Sequence, residues 1–146
     1  MILVNNLTRS RINVRKLELK VFKTLKFLGV LKTWRLELYF LDSRKMAFLH
    51  KKLLKKPGPA TVISVEFGDN FIVADGSGGG ASNAPATFDR GGEIYLCLSE
   101  IKKSGLPLDY FLVHGILHLF GFDHKTPRQA GAMLAKEKEL CDKIKA

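Results

Sequence analysis

The segment His114-Gly115-Ile116-Leu117-His118-Leu119-Phe120-Gly121-Phe122-Asp123-His124 holds three of the chain's four histidines. His114 and His118 are four residues apart; on a helix that step turns about 400°, a net of roughly 40°, and rises about 6 Å. Their imidazoles therefore lean from one face toward one point. Gly121 follows three residues later, where the helix has to stop and the chain reverse, since glycine takes φ > 0 without a steric penalty. A turn there carries His124 back toward the same point. Three neutral imidazole nitrogens at about 2.0–2.1 Å are a known zinc set, and three protein ligands leave a fourth position for water. The helix predicted around the pair, Leu108–Phe120, is apolar nearly all round through Phe111, Leu112, Val113, Ile116, Leu117, Leu119 and Phe120. Such a helix is buried, which suits a rigid ligand platform.

The spacing can be set beside the zinc-protease helix H-E-x-x-H-x-x-G-x-x-H. All three histidines and the glycine match, but Gly115 stands where the protease keeps its glutamate base. A metal site is therefore expected, while a metalloprotease-like hydrolase would need a carboxylate from elsewhere in the chain.

Working outward, Thr126 and Pro127 read as the N-cap and first residue of a final helix carrying Ala130, Met133, Leu134, Glu137, Leu140 and Ile144. Upstream, Gly91–Leu98 and Thr61–Phe67 read as strands, the latter rich in β-branched and aromatic residues. Between them, Phe71–Ala74 reads as a short strand, and residues 75–90 are small, polar and glycine-rich, hence a flexible loop. No G-K-[ST] follows those glycines, which argues against a phosphate-binding loop. Trp34–Leu41 alternates, with Leu36, Leu38 and Phe40 on one side and Arg35, Glu37 and Tyr39 on the other. Asp42-Ser43 caps a helix from Arg44 to Leu54 that Pro57-Gly58-Pro59 ends. A first strand spans Met1–Leu7. It is followed by a helix capped by Ser10, with an apolar face of Val14, Leu17, Val21, Leu25 and Leu28 closed by Gly29. The order implies a single α+β domain over residues 1–146, a small mixed sheet with packed helices and the metal site on a buried helix.

A formal net charge of +10 favours a polyanionic partner, and nucleic acid is the commonest one in a cytosol. Two basic stripes stand out: Lys16, Lys20 and Lys23 on the first helix, and Lys51, Lys52 and Lys55 with Arg44, Lys45 and Lys56 on the second, which has no acid among them. His50 lies among the second set and reads as a surface residue. Cys97 and Cys141 form no C-x-x-C pair, so no disulfide partner is expected and a reducing compartment fits. No apolar run approaches the roughly 20 residues of a membrane span, and Met1-Ile2-Leu3-Val4 is too short for a signal-peptide core. A cytoplasmic protein without a membrane partner is expected.

The histidine segment also resembles a family. H-G-x-x-H-L-x-G-x-D-H is the signature of the YbeY-type rRNA-maturation endoribonucleases, and His114, Gly115, His118, Leu119, Gly121, Asp123 and His124 all match it. Pro59-Ala60-Thr61-Val62-Ile63-Ser64-Val65-Glu66-Phe67 is similar to the family's P-T-[DN]-V-L-S-F-P-F at Pro59, Val62, Ser64 and Phe67. Gly91–Leu98 resembles its G-D-I-x-I stretch with Glu93 for the aspartate, and Met133 and Glu137 match an M-x-x-x-E pattern. An arginine that the family associates with activity falls at Leu54 in an ungapped match, leaving Lys52 or Lys55 to supply the cation.

The resemblance implies a zinc-dependent, single-strand-specific endoribonuclease, with one Zn²⁺ per chain on His114, His118 and His124. It implies an rRNA precursor as substrate and the small ribosomal subunit as partner. Ser64 would lie in the cleft beside the zinc or bond to backbone. Asp123 would orient a histidine or the water, or cap the turn. Glu93 would lie behind the ligands or begin its strand as a turn residue. The competing reading is a non-catalytic RNA- or ribosome-binding module with a structural zinc.

Overall fold

The computed structural model describes residues 1–29, 34–67 and 90–145. Along them run β1 (Ile2–Asn6), α1 (Val14–Phe27), β2 (Trp34–Phe40), α2 (Ser43–Leu54), β3 (Val62–Glu66), β4 (Arg90–Leu96), α3 (Leu98–Ser104), α4 (Leu108–Leu119) and α5 (Pro127–Ile144). The strands form one sheet in the order β1-β2-β4-β3. β1, β2 and β4 are parallel, and β3 runs antiparallel to β4 along one edge. The expected α+β class with a small mixed sheet is what the chain forms.

Pleat alternation decides which face each side chain meets. Leu36, Leu38 and Phe40 of β2 and Ile94 and Leu96 of β4 are fully buried in one cluster with Leu17, Val21 and Leu25 of α1 and Leu112 and Ile116 of α4. The opposite face of β3 contributes Ile63 to a second cluster with Leu41, Met46 of α2 and Cys97. α5 packs outside α4, through Met133, Leu140 and Ile144 on Val113 and Leu117. α4 is thus enclosed between the sheet and α5. Burying each of its fully covered aliphatic side chains stabilises the fold by about 1.5–3 kcal/mol.

The helix ends show where local signals compete. The cap of α1 is Asn13, whose side chain accepts the Lys16 N–H at 3.0 Å, and not Ser10. Ser10 is held in the preceding turn, its carbonyl taking the Asn6 amide at 2.7 Å and its N–H donating to Thr8 Oγ1 at 3.2 Å. Asp42 caps α2 through the Lys45 N–H, and the helix ends at Lys55 in the left-handed region, before the Pro57-Gly58-Pro59 stop. Thr126 caps α5 and is answered by Gln129, a reciprocal pair at 3.2 Å each way. α3 is absent from the sequence reading, which runs the strand to Leu98. The strand expected at 71–74 and the loop expected at 75–90 fall almost wholly outside the described residues; only Arg90 is described, and it opens β4.

Gly115 sits where α4 crosses β3 and β4. A Cβ placed there would meet Ile94 Cγ2 at 3.0 Å, Ser64 Oγ at 3.1 Å and Ile94 Cδ1 at 3.2 Å. A branched side chain there presses on Ile94 and Ser64, which must give way. We therefore expect Gly115→Val to destabilise the protein by about 1–3 kcal/mol, the usual range for overpacking, as read by urea unfolding. Parental stability in that variant would show that α4 is not held this close.

Candidate metal centre and cleft

With Gly115 turned to the sheet, His114 and His118 project from the adjacent face of α4, near its C-terminal end. Their Nε2 atoms are 3.0 Å apart. α4 then stops in a Schellman turn: the Gly121 N–H donates to the His118 carbonyl at 3.0 Å and the Phe122 N–H to the Leu117 carbonyl at 3.1 Å. Gly121 has φ +91°, the conformation that a side chain resists. Phe122 packs back among Val113 and Leu117, and Trp34 stacks on Phe120 at 4.3 Å. The reversal brings His124 to the pair, with ring centroids 5.2 Å from His118 and 5.8 Å from His114. One nitrogen from each of the three rings lies within 4.8 Å of the others, a cluster that could hold a metal ion.

The donor chemistry fits such an ion. Two nitrogens bound tetrahedrally at about 2.0–2.1 Å sit about 3.3 Å apart, close to the His114–His118 separation. His114 Nδ1 lies 3.1 Å from Glu137 Oε1 of α5. Glu137 is 3% exposed, and an ionised carboxylate buried so deeply requires a donor. It therefore fixes the His114 proton on Nδ1 and leaves the Nε2 lone pair aimed at the cluster. Tyr110 stacks on the same ring at 5.8 Å, and its hydroxyl pKa is raised by burial and by the Glu137 charge. The His118 pKa is lowered from 6.5, first by burial and then by the charges of His114 and His124. Neutral imidazole, the ligating form, is thereby favoured.

A cavity of about 350 Å³ opens over the cluster, lined by Leu54, Val62, Ile63, Ser64, Glu66, Leu119 and the three histidines. Ser64 donates to the Gly115 carbonyl at 3.1 Å, so it both lines the cleft and bonds to backbone. Asp123 is not among the lining residues. Its Oδ1 accepts the His124 N–H at 2.7 Å, and that bond holds its carboxyl below the usual range. Lys52 and Lys55 are exposed and are not among the lining residues either; Leu54 itself forms the wall. Of the remaining lysines, Lys16 and Lys51 are exposed and Lys23 is half-buried. Lys20 is paired with Asp109 at the start of α4 at 2.7 Å. His50 is half-buried, its Nδ1 2.8 Å from the Gly58 carbonyl, and so ties the segment after α2 rather than standing free at the surface. Glu93 lies on the sheet face opposite Gly115 and accepts the Tyr95 hydroxyl, turned away from the histidines.

Glu66 is not among the site residues expected from the sequence, which take only Ser64 from this strand. The period-two alternation of β3 is the signal that finds it, since Val62, Ser64 and Glu66 share one face. Tyr110 is found similarly, four residues before His114 on the same helix face.

Two outcomes follow from this geometry. Glu137→Gln and Glu137→Ala should weaken zinc or cobalt binding about 10–100-fold, alanine the more, as measured by competition with a chromophoric chelator. Unchanged affinity would remove Glu137 from the site. In the metal-free protein, the unfolded chain binds a proton at His118 more readily than the folded one. Stability should therefore be retained above pH 6.5 and fall as pH drops through the lowered folded pKa. Denaturant unfolding across pH 5–7 (a range set by the ordinary histidine pKa of about 6.5), compared with His118→Ala, measures it.

The profile of the family described as Endoribonuclease YbeY matches residues 4–145. The Rhodococcus opacus protein named Endoribonuclease YbeY is 34% identical over 116 residues, 73% of this chain and 61% of that one. The protein of that name from Anaeromyxobacter dehalogenans is 30% identical over 105 residues, 72% of this chain and 51% of the relative. The chain thus spans about three fifths or less of the length of these curated relatives. The solution structure of TM1509 from Thermotoga maritima superposes with a TM-score of 0.57 at 18% identity, covering 99% of this chain and 89% of the other, and shares its fold. A profile match over almost all of its length, and relatives at 30–34% identity, establish that this chain belongs to the YbeY endoribonuclease family.

Proposed function

We propose that the chain is a zinc-dependent endoribonuclease acting on single-stranded RNA, with precursor rRNA of the small ribosomal subunit as its target in the cytoplasm. The observation that carries this reading is the convergence of three imidazoles, one with its tautomer fixed by Glu137, on a cavity wide enough for a phosphodiester. The name carried by the relatives, Endoribonuclease YbeY, supports the reaction class. Two free cysteines fit a reducing compartment, and no helix among the described residues is long and apolar enough to cross a membrane.

An all-imidazole set with an open side suits zinc. When bound, the ion polarises a phosphate oxygen and lowers the pKa of a bound water. The chain's own residues do the rest. Glu66 is the carboxylate that shares the cavity with the histidines, and receives the proton of the attacking hydroxyl as its oxygen bonds to phosphorus. The bond to the departing ribose oxygen breaks, and that oxygen takes up a proton from solvent water. Ser64, its proton committed to Gly115, presents lone pairs to the cleft. Asp123 positions His124 through the backbone. Exposed Lys16, Lys51, Lys52 and Lys55 attract the phosphate backbone, with Lys20 and Lys23 behind them on α1, which makes binding salt-dependent.

One observation favours a second reading, a non-catalytic RNA-binding module with a structural metal. Among the described residues no lysine or arginine lines the cavity, and Leu54 occupies its wall. By contrast, the metalloprotease reading has no support at Gly115, which stands where that helix keeps its glutamate base and where a Cβ would press on Ile94 and Ser64 at 3.0–3.2 Å.

The test is cleavage of a single-stranded RNA by the parent, His118→Ala and Glu66→Gln, each with and without chelator. Cleavage should vanish in His118→Ala and on chelation. It should fall about 100-fold or more in Glu66→Gln, with bound metal unchanged and the acid limb of the pH profile lost. RNA binding without cleavage by the parent would select the second reading. Equal cleavage by parent and His118→Ala would detach the activity from this site.

A further inference from the structure

Phe48, in the middle of α2, is 70% exposed, the most exposed large hydrophobic side chain among the described residues. Met46, two positions earlier, is fully buried against the sheet. Two residues of helix turn the chain about 200°, so Phe48 points straight away from the core. Its neighbours on the helix surface are the residues three and four positions to either side. These are Arg44, Lys45, Lys51 and Lys52, all four cationic and all exposed. The Lys52 ammonium lies 6.0 Å from the ring centroid. No acid occurs from Ser43 to Lys56. At the C-terminal end of the same helix, Leu54 forms part of the cavity wall. From Phe48 to Leu54 is about 9 Å along the axis, within the span of one short oligonucleotide.

A flat apolar ring encircled by positive charge fits a partner that is anionic and also presents flat apolar faces. Unpaired nucleobases on a phosphate backbone have both properties, and base–aromatic stacking tolerates any base. A duplex keeps those faces inside its own stack and offers the ring nothing. A lipid surface needs a broad apolar helix face, but the apolar side of α2, Met46 with Leu49 and Leu53, is already packed in the core.

We propose that Phe48 is a stacking platform for an unpaired base of RNA whose phosphates are held by Arg44, Lys45, Lys51 and Lys52, and that this stripe leads a single strand along α2 to the cleft. The proposal rests on the endoribonuclease reading and deepens it by placing the strand preference on a residue outside the metal centre.

The test is binding of the full chain to a fluorescein-labelled single-stranded RNA of about ten nucleotides, followed by anisotropy over a range of salt concentrations, with chelator present to prevent cleavage. Phe48→Ala and Phe48→Leu should both weaken binding about 5- to 100-fold, while Phe48→Tyr keeps it. Salt dependence should be unchanged in the Phe48 variants but shallower by about one unit of slope in Lys52→Ala. Melting temperatures should match the parent, since the side chain is 70% exposed. Parental affinity in Phe48→Ala, or in Phe48→Leu, would overturn the stacking platform and leave the nuclease reading standing. Failure of the parent itself to bind or cleave RNA would overturn both.

Discussion

The site depends on how closely α4 lies against β3 and β4. At Gly115 the helix backbone comes near enough that a methyl group would press on Ile94 and Ser64. That contact sets more than a distance; it sets the rotation of α4 about its own axis. With residue 115 against the sheet, residues 114 and 118 must face the gap between β3 and the inner side of α5. His114 then meets Glu137 from α5, and the Ser64 hydroxyl ties β3 to the Gly115 carbonyl. A glutamate in place of Gly115, as in the zinc-protease helix, would have to displace the Ile94 and Ser64 side chains by a few tenths of an ångström.

Charge is divided between two scales. The chain carries +10 overall, yet the cavity wall among the described residues holds three imidazoles and one carboxylate and no permanent cation. A fixed lysine or arginine beside the histidines would repel a dication. The exposed cations of α2 instead act on a polyanion through solvent, over a Debye length of roughly 8–10 Å. Lys20 is also held by an ion pair with Asp109 that fastens α1 to the first turn of α4, where a carboxylate also suits the helix N-terminus.

The histidine cluster was legible in the sequence because its geometry is local. Helix periodicity places His114 beside His118, and Gly121 announces the reversal. The same holds for the alternation of β2 and for the Thr126-Pro127 start of α5. What it hid is tertiary or short. α3 has seven residues, too few for periodicity to register. Ser10 and Asn13 are both good caps, and hydrogen bonds from Asn6 and to Thr8 decide between them. Glu137 lies on the helical period of the core residues Met133 and Leu140 and resembles one of them until α5 is docked on α4, 23 residues away in sequence from His114. Glu66 sits on an edge strand whose facing becomes clear only once Ser64 is placed.

His124 is the exposed member of the three histidines, and its position rests on a connection rather than on a helix. Residues 121–126 are fixed at both ends. At the start, the Schellman bonds and Phe122, packed beside Leu117, leave the chain one way out of α4. At the other end, the Thr126–Gln129 exchange fixes where α5 begins. Between them Asp123 spends its carboxylate on the His124 N–H, which holds the backbone that carries the ring. Fixing a residue's backbone costs about 1–2 kcal/mol of conformational entropy. Folding of the turn has met that cost before any ligand arrives. The three nitrogens consequently converge through α4, α5 and the turn between them, so the preorganisation of the site belongs to the fold.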